Sequence, residues 1–597
     1  MENVINERIA KLREIMAEKG ISVYMVPMAD FHHSEYIGEY FMEVEYISGF
    51  TGTNATVVIT PEKAGLWTDG RYFIQAKREL AGSEVKLYEM GEEGVPTVTE
   101  FVEQELIECT ALGFDGRLFT IEQVEKFEKI VRAKDGTIAE AEDLIDYIWT
   151  DRPALPVSDV WELPVEHAGK SRMDKIADIR KKMKELDADG YFLSDLCSIA
   201  WVLNLRGNDI PSVPVFLSFL YINEKEVVLF AEKNNFSFQV IASLDSDGIR
   251  ISSYEDYYLE LANMKEERVL IDPSVVSHAS LVAFNKNVEF VREVNPTELM
   301  KAVKNETEIK DTTEAHIKDG VALTHFIYWL KKTVKTEKIS EVDAQEKLLE
   351  FRREQSDFLD VSFETISAYG PNAAMMHYSA TPEKFSMIEP KGMYLVDSGG
   401  HYIEGTTDVT RTIAVGPLTD FEKEDYTTVL RCHLRLLDAH FLKGCTGQNL
   451  DILARGPVWD RGLDYRCGTG HGVGHILNVH EGPNSFRWRI PNKSNVWELQ
   501  PGMITSNEPG IYVEDAYGIR IENEILCVED QKTEYGQFYK FNSLTVVPID
   551  LEPVIVDRLT QYEKETLNKY HKFVYETLAP HFEGEELDWL KEATKEI

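Results

Sequence analysis

Met393-Tyr-Leu-Val-Asp-Ser-Gly-Gly400 and Thr407-Asp-Val-Thr-Arg-Thr-Ile-Ala414 decide how the C-terminal half of this chain folds. The first stretch is an apolar run that ends in Asp397, and the second carries Asp408 eleven residues later. The turn between them predicts a hairpin that brings the two aspartates together. Adjacent carboxylates repel each other unless a proton or a cation lies between them. A single aspartate at a strand end is more often a turn cap than a ligand, so the pair alone leaves both interpretations open.

A glycine-rich stretch with histidines follows, Gly468-Thr-Gly-His-Gly-Val-Gly-His-Ile-Leu-Asn-Val-His480. His471 and His475 have the i, i+4 spacing of a zinc-binding helix, but the glycines between them disfavour a helix. We therefore expect the glycines to let the backbone approach a site closely, and residues 476–479 to form a strand. For His475 taken alone, we favour a packing or hydrogen-bonding role over metal binding.

Two further strand-like segments carry carboxylates. Met503-Ile-Thr-Ser-Asn-Glu508 is a β run that ends in Glu508, and Gly518–Ile525 alternates polar and apolar residues. This alternation predicts one strand with Arg520, Glu522 and Glu524 on the same face. Taken alone, such a polar face is usually solvated.

The combined set suits two divalent metal ions. Four strand-borne carboxylates carry a charge of −4 and are accompanied by at least one histidine. Oxygen ligands with one imidazole suit Mn²⁺, Co²⁺ or Zn²⁺, and they do not indicate a site built from cysteine thiolates. Two such ions about 3.5–4 Å apart can activate a water for peptide hydrolysis without a Ser or Cys nucleophile.

The front half of the chain predicts two duplicated α/β domains. A helix at 11–19 and a strand at 21–26 have counterparts in a helix at 175–186 and a strand at 191–194, each followed by a Gly/Asn turn. We place the domains at residues 1–155 and 156–304, with the Pro-rich segment 151–156 as the linker.

A third domain is predicted for residues 305–597. Asn305-Glu-Thr-Glu308 has the spacing of a capping box and precedes a long amphipathic helix. From Phe363 onward β patterns dominate, with helices near 422–443 and 562–580, the second of which belongs to a C-terminal helical extension. This pattern predicts an α+β fold.

Charge and composition exclude several function classes. The chain has 63 Lys and Arg against 103 Asp and Glu, a net charge of −40, which argues against nucleic acid or anionic membranes as partners. The first twenty residues lack the apolar core of a signal peptide, and the six cysteines are few and form no CxxC pair. We therefore expect a cytoplasmic protein with reduced thiols.

The ordered set of motifs resembles the long, three-domain Xaa-Pro aminopeptidases of the pita-bread metallopeptidase superfamily, which includes methionine aminopeptidase, prolidase and creatinase. The resemblance covers the whole chain and implies creatinase-like front domains and a pita-bread catalytic domain. It rests on Phe50–Asn54, Trp67–Arg71, Trp149–Pro153, His377–Ser379, the Asp397/Asp408 pair, Gly470–Gly474, Asn478–Gly482, Asn507–Gly510 and Gly518–Asn523.

The resemblance implies a ligand set for two divalent metal ions, usually Mn²⁺, although Co²⁺ and Zn²⁺ remain open. Asp408 and Glu522 would bridge both ions, and Glu508 would also relay the proton of a bridging water. The complete set is Asp397, Asp408, His471, Glu508 and Glu522.

Four further residues follow from the same comparison. His377 and His480 would hydrogen-bond the substrate and the tetrahedral intermediate, and Arg520 would orient the carboxylates. Many relatives have a histidine four residues before the ligand histidine, where this chain has Cys467. We expect Cys467 to be a packing residue rather than a proton shuttle.

The implied activity is hydrolysis of the N-terminal Xaa-Pro bond of peptides by a hydroxide that bridges two metal ions. The resemblance also implies a homodimer. A prolidase would share all five ligands but usually has one front domain, so the duplication argues against it. An inactive pita-bread binding protein would have lost ligands, and none is lost here.

Overall fold

The computed structural model describes residues 2–265, 268–489 and 496–597. It divides into two compact units, Met1–Val165 with Lys170–Thr297, and Glu166–Gly169 with Glu298–Ile597. The first unit contains both α/β repeats apart from most of their helices at 165–168 and 296–302, and the second contains the α+β domain with every proposed site residue. The boundaries after residues 155 and 304 stay predictions.

The first repeat is a six-stranded mixed sheet with helices around it. Its helices are α1 (Glu2–Glu18), α2 (Glu43–Ser48), α3 (Phe73–Glu79), α4 (Val98–Glu105) and α5 (Ile121–Ala133). Its strands are β1 (Ile21–Pro27), β2 (Thr56–Ile59), β3 (Ala64–Thr68), β4 (Val85–Glu89), β5 (Ala111–Gly113) and β6 (Thr137–Ala139). β1 is buried along its whole length, which explains its continuous apolar sequence.

The second repeat follows residues 151–159, which form neither helix nor strand. Its helices are α6 (Val165–Ala168), α7 (Arg172–Glu185), α8 (Leu196–Leu203), α9 (Phe238–Ser246), α10 (Tyr257–Ala262), α11 (His278–Ala283) and α12 (Pro296–Ala302). Its strands are β7 (Trp161–Glu162), β8 (Gly190–Leu193), β9 (Leu205–Arg206), β10 (Ser218–Asn223), β11 (Val227–Ala231), β12 (Ile249–Ser252), β13 (Arg268–Ile271) and β14 (Glu289–Arg292).

The two repeats share one topology, which confirms the predicted duplication. The strand order is β4-β3-β2-β1-β5-β6 in the first sheet and β12-β11-β10-β8-β13-β14 in the second. The central strands are β1 and β8; they pair antiparallel with β2 and β10 on one side and parallel with β5 and β13 on the other. The predicted turns also correspond, because left-handed residues end both α2, at Gly49 with φ 78°, and α8, at Asn204 with φ 52°.

The second unit surrounds small sheets with helices. Its helices are α13 (Glu306–Thr333), α14 (Glu341–Arg353), α15 (Asp420–Leu437), α16 (Gly447–Trp459), α17 (Gln561–Leu578) and α18 (Gly584–Ala593). Its strands are β15 (Ile339–Ser340), β16 (Phe358–Val361), β17 (Ile366–Tyr369), β18 (Met387–Ile388), β19 (Met393–Ser398), β20 (Gly400–Tyr402), β21 (Gly405–Thr406), β22 (Val409–Ala414), β23 (His440–Leu442), β24 (Gly470–Gly472), β25 (Glu481–Phe486), β26 (Ile504–Asn507), β27 (Gly510–Val513), β28 (Tyr517–Arg520), β29 (Asn523–Thr533) and β30 (Gly536–Ser543).

Three sheets position the proposed site residues. One has the order β17-β19-β22, a second has the order β23-β30-β29-β26-β24-β25, and β27 pairs with β28. The capping box predicted at Asn305 is present and begins α13. Among the described residues, no helix combines the length and the apolar sequence needed to cross a membrane.

Two strand predictions for this unit are wrong. Residues 476–479 form bends rather than a strand, since Ile476 has φ 53° and the Gly474 amide donates to the Asn478 carbonyl. Their apolar side chains are buried all the same. A buried loop that pairs with no strand can therefore have a strand-like sequence. The predicted strand 518–525 is interrupted between β28 and β29, and its polar face is buried rather than solvated.

Candidate active site

The two aspartates lie together on neighbouring strands, as the hairpin prediction required. β19 and β22 pair antiparallel with Asp397 opposite Thr410, and Asp408 immediately precedes β22. Both aspartates are buried, and Oδ1 of each has no hydrogen-bond partner among the described residues. An unsatisfied buried carboxylate oxygen is costly, which indicates that another group belongs beside it.

His471 presents one ring nitrogen to the carboxylates. It lies on β24, where its Nδ1 is 2.9 Å from the Gly472 carbonyl oxygen and its backbone N–H donates to Ser506 Oγ. If Nδ1 donates to this carbonyl, Nε2 is the acceptor nitrogen, which is the tautomer that binds metal through Nε2. Nε2 lies 3.5 Å from Asp408 Oδ2 and 3.4 Å from Glu508 Oε1.

Glu508 and Glu522 approach from two strand ends. Glu508 follows β26 and accepts a hydrogen bond from Ser506 Oγ at 3.2 Å. Glu522 occupies the interruption between β28 and β29, where its N–H donates to the Thr410 carbonyl and Thr410 Oγ1 donates to Oε2 at 2.7 Å. The break in the predicted strand therefore orients Glu522 toward the aspartates.

These residues fit a divalent metal site. One ligand atom each from Asp408, His471 and Glu522 lies within 4.8 Å of the others. Burial, followed by repulsion from neighbouring carboxylates, raises the pKa of Asp408 and Glu522 well above the usual range, and burial also raises the pKa of Glu508. Cations beside these oxygens would restore the ionised form and satisfy the unpartnered Oδ1 atoms.

Arg520 supplies the protein's own positive charge at this cluster. Its Nη2 lies 2.5 Å from Asp397 Oδ2, its Nε donates to Thr410 Oγ1 and its Nη1 donates to Tyr512 OH. The side chain is 3% exposed, so these bonds fix its position. The guanidinium thus contacts one of the proposed ligand carboxylates, and its orienting role stays a prediction.

The two predicted substrate-binding histidines occupy separate loops. The half-buried His480 ring lies 4.2 Å from the His471 ring, centroid to centroid, at an interplanar angle of 82°. His377 follows the 3-10 helix Gly370–Ala374, and the residue before it, Met376, accepts a hydrogen bond from Arg520 Nη2 at 3.5 Å. The structure thus connects both loops to the carboxylate cluster.

Sequence reasoning missed the hydrogen-bonding residues around the ligands. Thr410 and Ser506 are fully buried and donate to Glu522 and Glu508. Each lies two positions from a proposed ligand, at 408 and 508, so the strand period of two was the available signal. A buried pair was also missed, in which His316 Nε2 lies 3.3 Å from Glu524 Oε1.

Cys467 and His475 have structural partners. The Cys467 side chain packs against the core of the unit, and its carbonyl accepts from Arg455 Nη2 at 3.2 Å. His475 is buried, with Nδ1 3.2 Å from Thr312 Oγ1 and Nε2 3.2 Å from the His167 carbonyl oxygen. For His475 the hydrogen-bonding interpretation is therefore the one that the structure shows.

Comparison with known families matches the whole architecture. The description "Metallopeptidase family M24" matches residues 310–529, and its C-terminal region matches 537–597. "Creatinase/Prolidase N-terminal domain" matches twice, at 8–148 and 151–308. A probable Xaa-Pro aminopeptidase P from Tuber melanosporum is 40% identical over all of both chains. This chain belongs to the Xaa-Pro aminopeptidase P family.

Further relatives support the same family. Aminopeptidase P2 from Arabidopsis thaliana is 36% identical over all of this chain and 89% of its own length. The crystal structure of the X-prolyl aminopeptidase from Caenorhabditis elegans, described as a cytosolic enzyme with a di-nuclear active site, is 34% identical with a TM-score of 0.94 and covers 99% of this chain and 100% of its own. A prolidase from Pyrococcus horikoshii, at 22% identity and a TM-score of 0.50 over 63% of this chain and 99% of its own, shares the fold alone.

Proposed function

We propose that this protein removes the N-terminal residue from peptides whose second residue is proline, by metal-dependent hydrolysis. One observation carries the proposal: ligand atoms of Asp408, His471 and Glu522 converge within 4.8 Å in a family of Xaa-Pro aminopeptidases. An inactive binding protein would not need this convergence, because buried like charges destabilise a fold that has no use for them.

Two divalent cations, proposed to be Mn²⁺ with Co²⁺ and Zn²⁺ as alternatives, would be held by five residues. When bound, they supply Lewis acidity that activates water and polarises the scissile carbonyl. Asp408 and Glu522 would contact both ions. The ligand set is the one predicted from the sequence: Asp397, Asp408, His471, Glu508 and Glu522.

Side chains of the protein would supply proton transfer, hydrogen bonds to the substrate and orientation of a ligand. Glu508, with Oε1 3.4 Å from His471 Nε2, would accept the proton of the attacking water and pass it to the leaving nitrogen. His377 and His480 would donate hydrogen bonds to the substrate oxygen as negative charge develops there. Arg520 would hold the Asp397 carboxylate in place.

Proline as the second residue defines the substrate class. The amide before proline is tertiary and has no N–H, so an enzyme that requires that donor cannot cleave it. A prolidase must also bind the C-terminal carboxylate of its dipeptide and rejects longer chains. This chain has two front repeats, and a relative named Xaa-Pro aminopeptidase P aligns with it over its whole length. Tripeptides and longer peptides are therefore the proposed substrates.

Assembly and location complete the proposal. We propose a cytoplasmic homodimer, formed mainly through the catalytic domain, without nucleic-acid or membrane partners. The net charge of −40 opposes polyanionic partners, and the Caenorhabditis elegans relative is described as cytosolic.

A three-substrate assay tests the proposed function. We expect Arg-Pro-Pro to be cleaved with a much higher kcat/KM than Arg-Ala-Pro, activity to disappear after chelation, and Mn²⁺ to restore it. If kcat/KM for the dipeptide Arg-Pro is tenfold higher than for Arg-Pro-Pro, a difference of about 1.4 kcal/mol in transition-state binding, the enzyme is a prolidase. Full activity in protein that mass spectrometry shows to be free of metal would exclude the metal mechanism.

A further inference from the structure

A buried carboxylate organises the loop that carries His377. Glu341 is the first residue of α14 and is fully buried. It accepts hydrogen bonds from two backbone amides, one amide side chain and one hydroxyl. The donors are Tyr369 N at 2.6 Å, Ser386 N at 2.6 Å, Asn372 Nδ2 at 3.1 Å and Tyr378 OH at 2.9 Å.

Hydrogen bonds rather than a cation balance this charge. Among the ion pairs of the described residues, none includes Glu341. Its four donors match the acceptor capacity of a carboxylate, and its position in the first turn of α14 is favoured by the helix dipole. A buried carboxylate that accepts all the hydrogen bonds it can accept rigidifies the segments that supply the donors.

The donors lie on both sides of His377 in the sequence. Tyr369 and Ser386 are at the two ends of the loop, and Tyr378 directly follows His377. On the other side, Met376 accepts from Arg520 Nη2, so both neighbours of His377 are fixed by hydrogen bonds. The His377 backbone is therefore held between the Arg520 guanidinium and the Glu341 carboxylate.

We propose that Glu341, acting through Tyr378, is a positioning residue for His377. The inference rests on the proposed function, because it assumes that His377 touches the substrate. Tyr378→Phe removes the hydroxyl, with its hydrogen bond to Glu341 and its longer one of 3.4 Å to the Lys384 carbonyl, and keeps the ring, so the loop gains freedom without losing its packing. A displacement of about 1 Å in a catalytic group can cost up to ~10²-fold in rate, and we expect kcat to fall about tenfold with little change in KM.

A double-mutant cycle separates positioning from general destabilisation. The tenfold loss caused by Tyr378→Phe should disappear when His377 is already alanine, because the residue that it positions is absent. Tyr426→Phe is the matched control, since Tyr426 is equally buried and donates one bond of 2.9 Å to the Asp550 carbonyl. Its kcat should equal that of the wild type when His377 is present, and that of His377→Ala when His377 is already alanine.

Hydrogen exchange provides a measurement that does not depend on catalysis. In Glu341→Gln, the amides of Tyr369 and Ser386 lose their carboxylate acceptor, and their exchange should accelerate while that of α14 stays slow. Unchanged exchange at both amides would overturn the inference. So would equal kcat values for Tyr378→Phe and Tyr426→Phe, or an undiminished Tyr378→Phe effect in the His377→Ala background. Wild-type protein that fails to cleave Arg-Pro-Pro would instead overturn the proposed function.

Discussion

Single charges at the carboxylate cluster should determine how much metal the protein holds. Asp408→Asn and Glu522→Gln each remove one negative charge from residues proposed to contact both ions, so bound metal per chain should fall. Glu508→Gln should retain more metal and still lose activity, because its proposed proton transfer is lost. Mass spectrometry of dialysed protein with parallel kinetics measures both. A normal metal content in Asp408→Asn and Glu522→Gln would contradict the proposed ligand set.

The histidines outside the ligand set should affect turnover. We expect His377→Ala and His480→Ala to lower kcat about 10²-fold or more, the usual scale for losing a positioned hydrogen-bond donor or acid–base group. His440→Ala is the control, because His440 is exposed and pairs only with Asp530 among the described residues. Wild-type kcat in both active-site variants would show that their assigned roles are wrong.

At the level of single residues, the sequence indicated the proposed ligands but not the residues that hydrogen-bond to them. Asp397, Asp408 and Glu508 each end or border an apolar run, so their position at strand ends was visible. Thr410 and Ser506 share the strand period of a proposed ligand, but this signal did not single them out, because a hydroxyl in a strand is also a common solvent-facing residue. The Glu341 network was hidden for another reason: its donors are spread from 369 to 386 and meet only in the fold.

Helices α13 and α14 are joined by a buried ion pair that should dominate the stability of their contact. Arg352 Nε lies 2.7 Å from Asp319 Oδ1, and both residues are buried. Arg352→Met leaves the Asp319 charge without its partner, so the free energy of unfolding should fall by about 3–5 kcal/mol. Urea titration measures the change. Lys332→Met, which breaks the exposed pair with Glu585, is the control and should leave the urea midpoint unaltered; equal midpoints for the two variants would contradict the argument.

Helices and strands were predicted correctly where the apolar pattern extends over many residues, and wrongly where it covers only a few. The Asn305 capping box and the amphipathic sequence after it predicted α13, and the repeat of helix, turn and strand predicted both front sheets. α16 was missed because it includes Gly456 and Pro457, which normally end a helix. The 476–479 run was wrongly predicted as a strand because its three buried apolar residues fit a strand and a buried loop equally well.

The assembled protein should have twice the mass of one chain. We expect light scattering at micromolar concentration to give about twice the 68.3 kDa monomer mass. Salt should weaken the dimer little if its interface is apolar, since screening acts on exposed charges. A mass of 68.3 kDa across the micromolar range would contradict the proposal.

The close contacts of two glycines limit how this enzyme could be redesigned. A Cβ at Gly470 would collide with the Ser506 carbonyl, and one at Gly518 would collide with that of Ala373. Mutant libraries aimed at changing metal preference should therefore keep both positions invariant, since every alternative amino acid displaces the strand beside a ligand. Selection can instead sample Thr410 and Ser506, whose side-chain hydroxyls donate to two of the proposed ligand carboxylates.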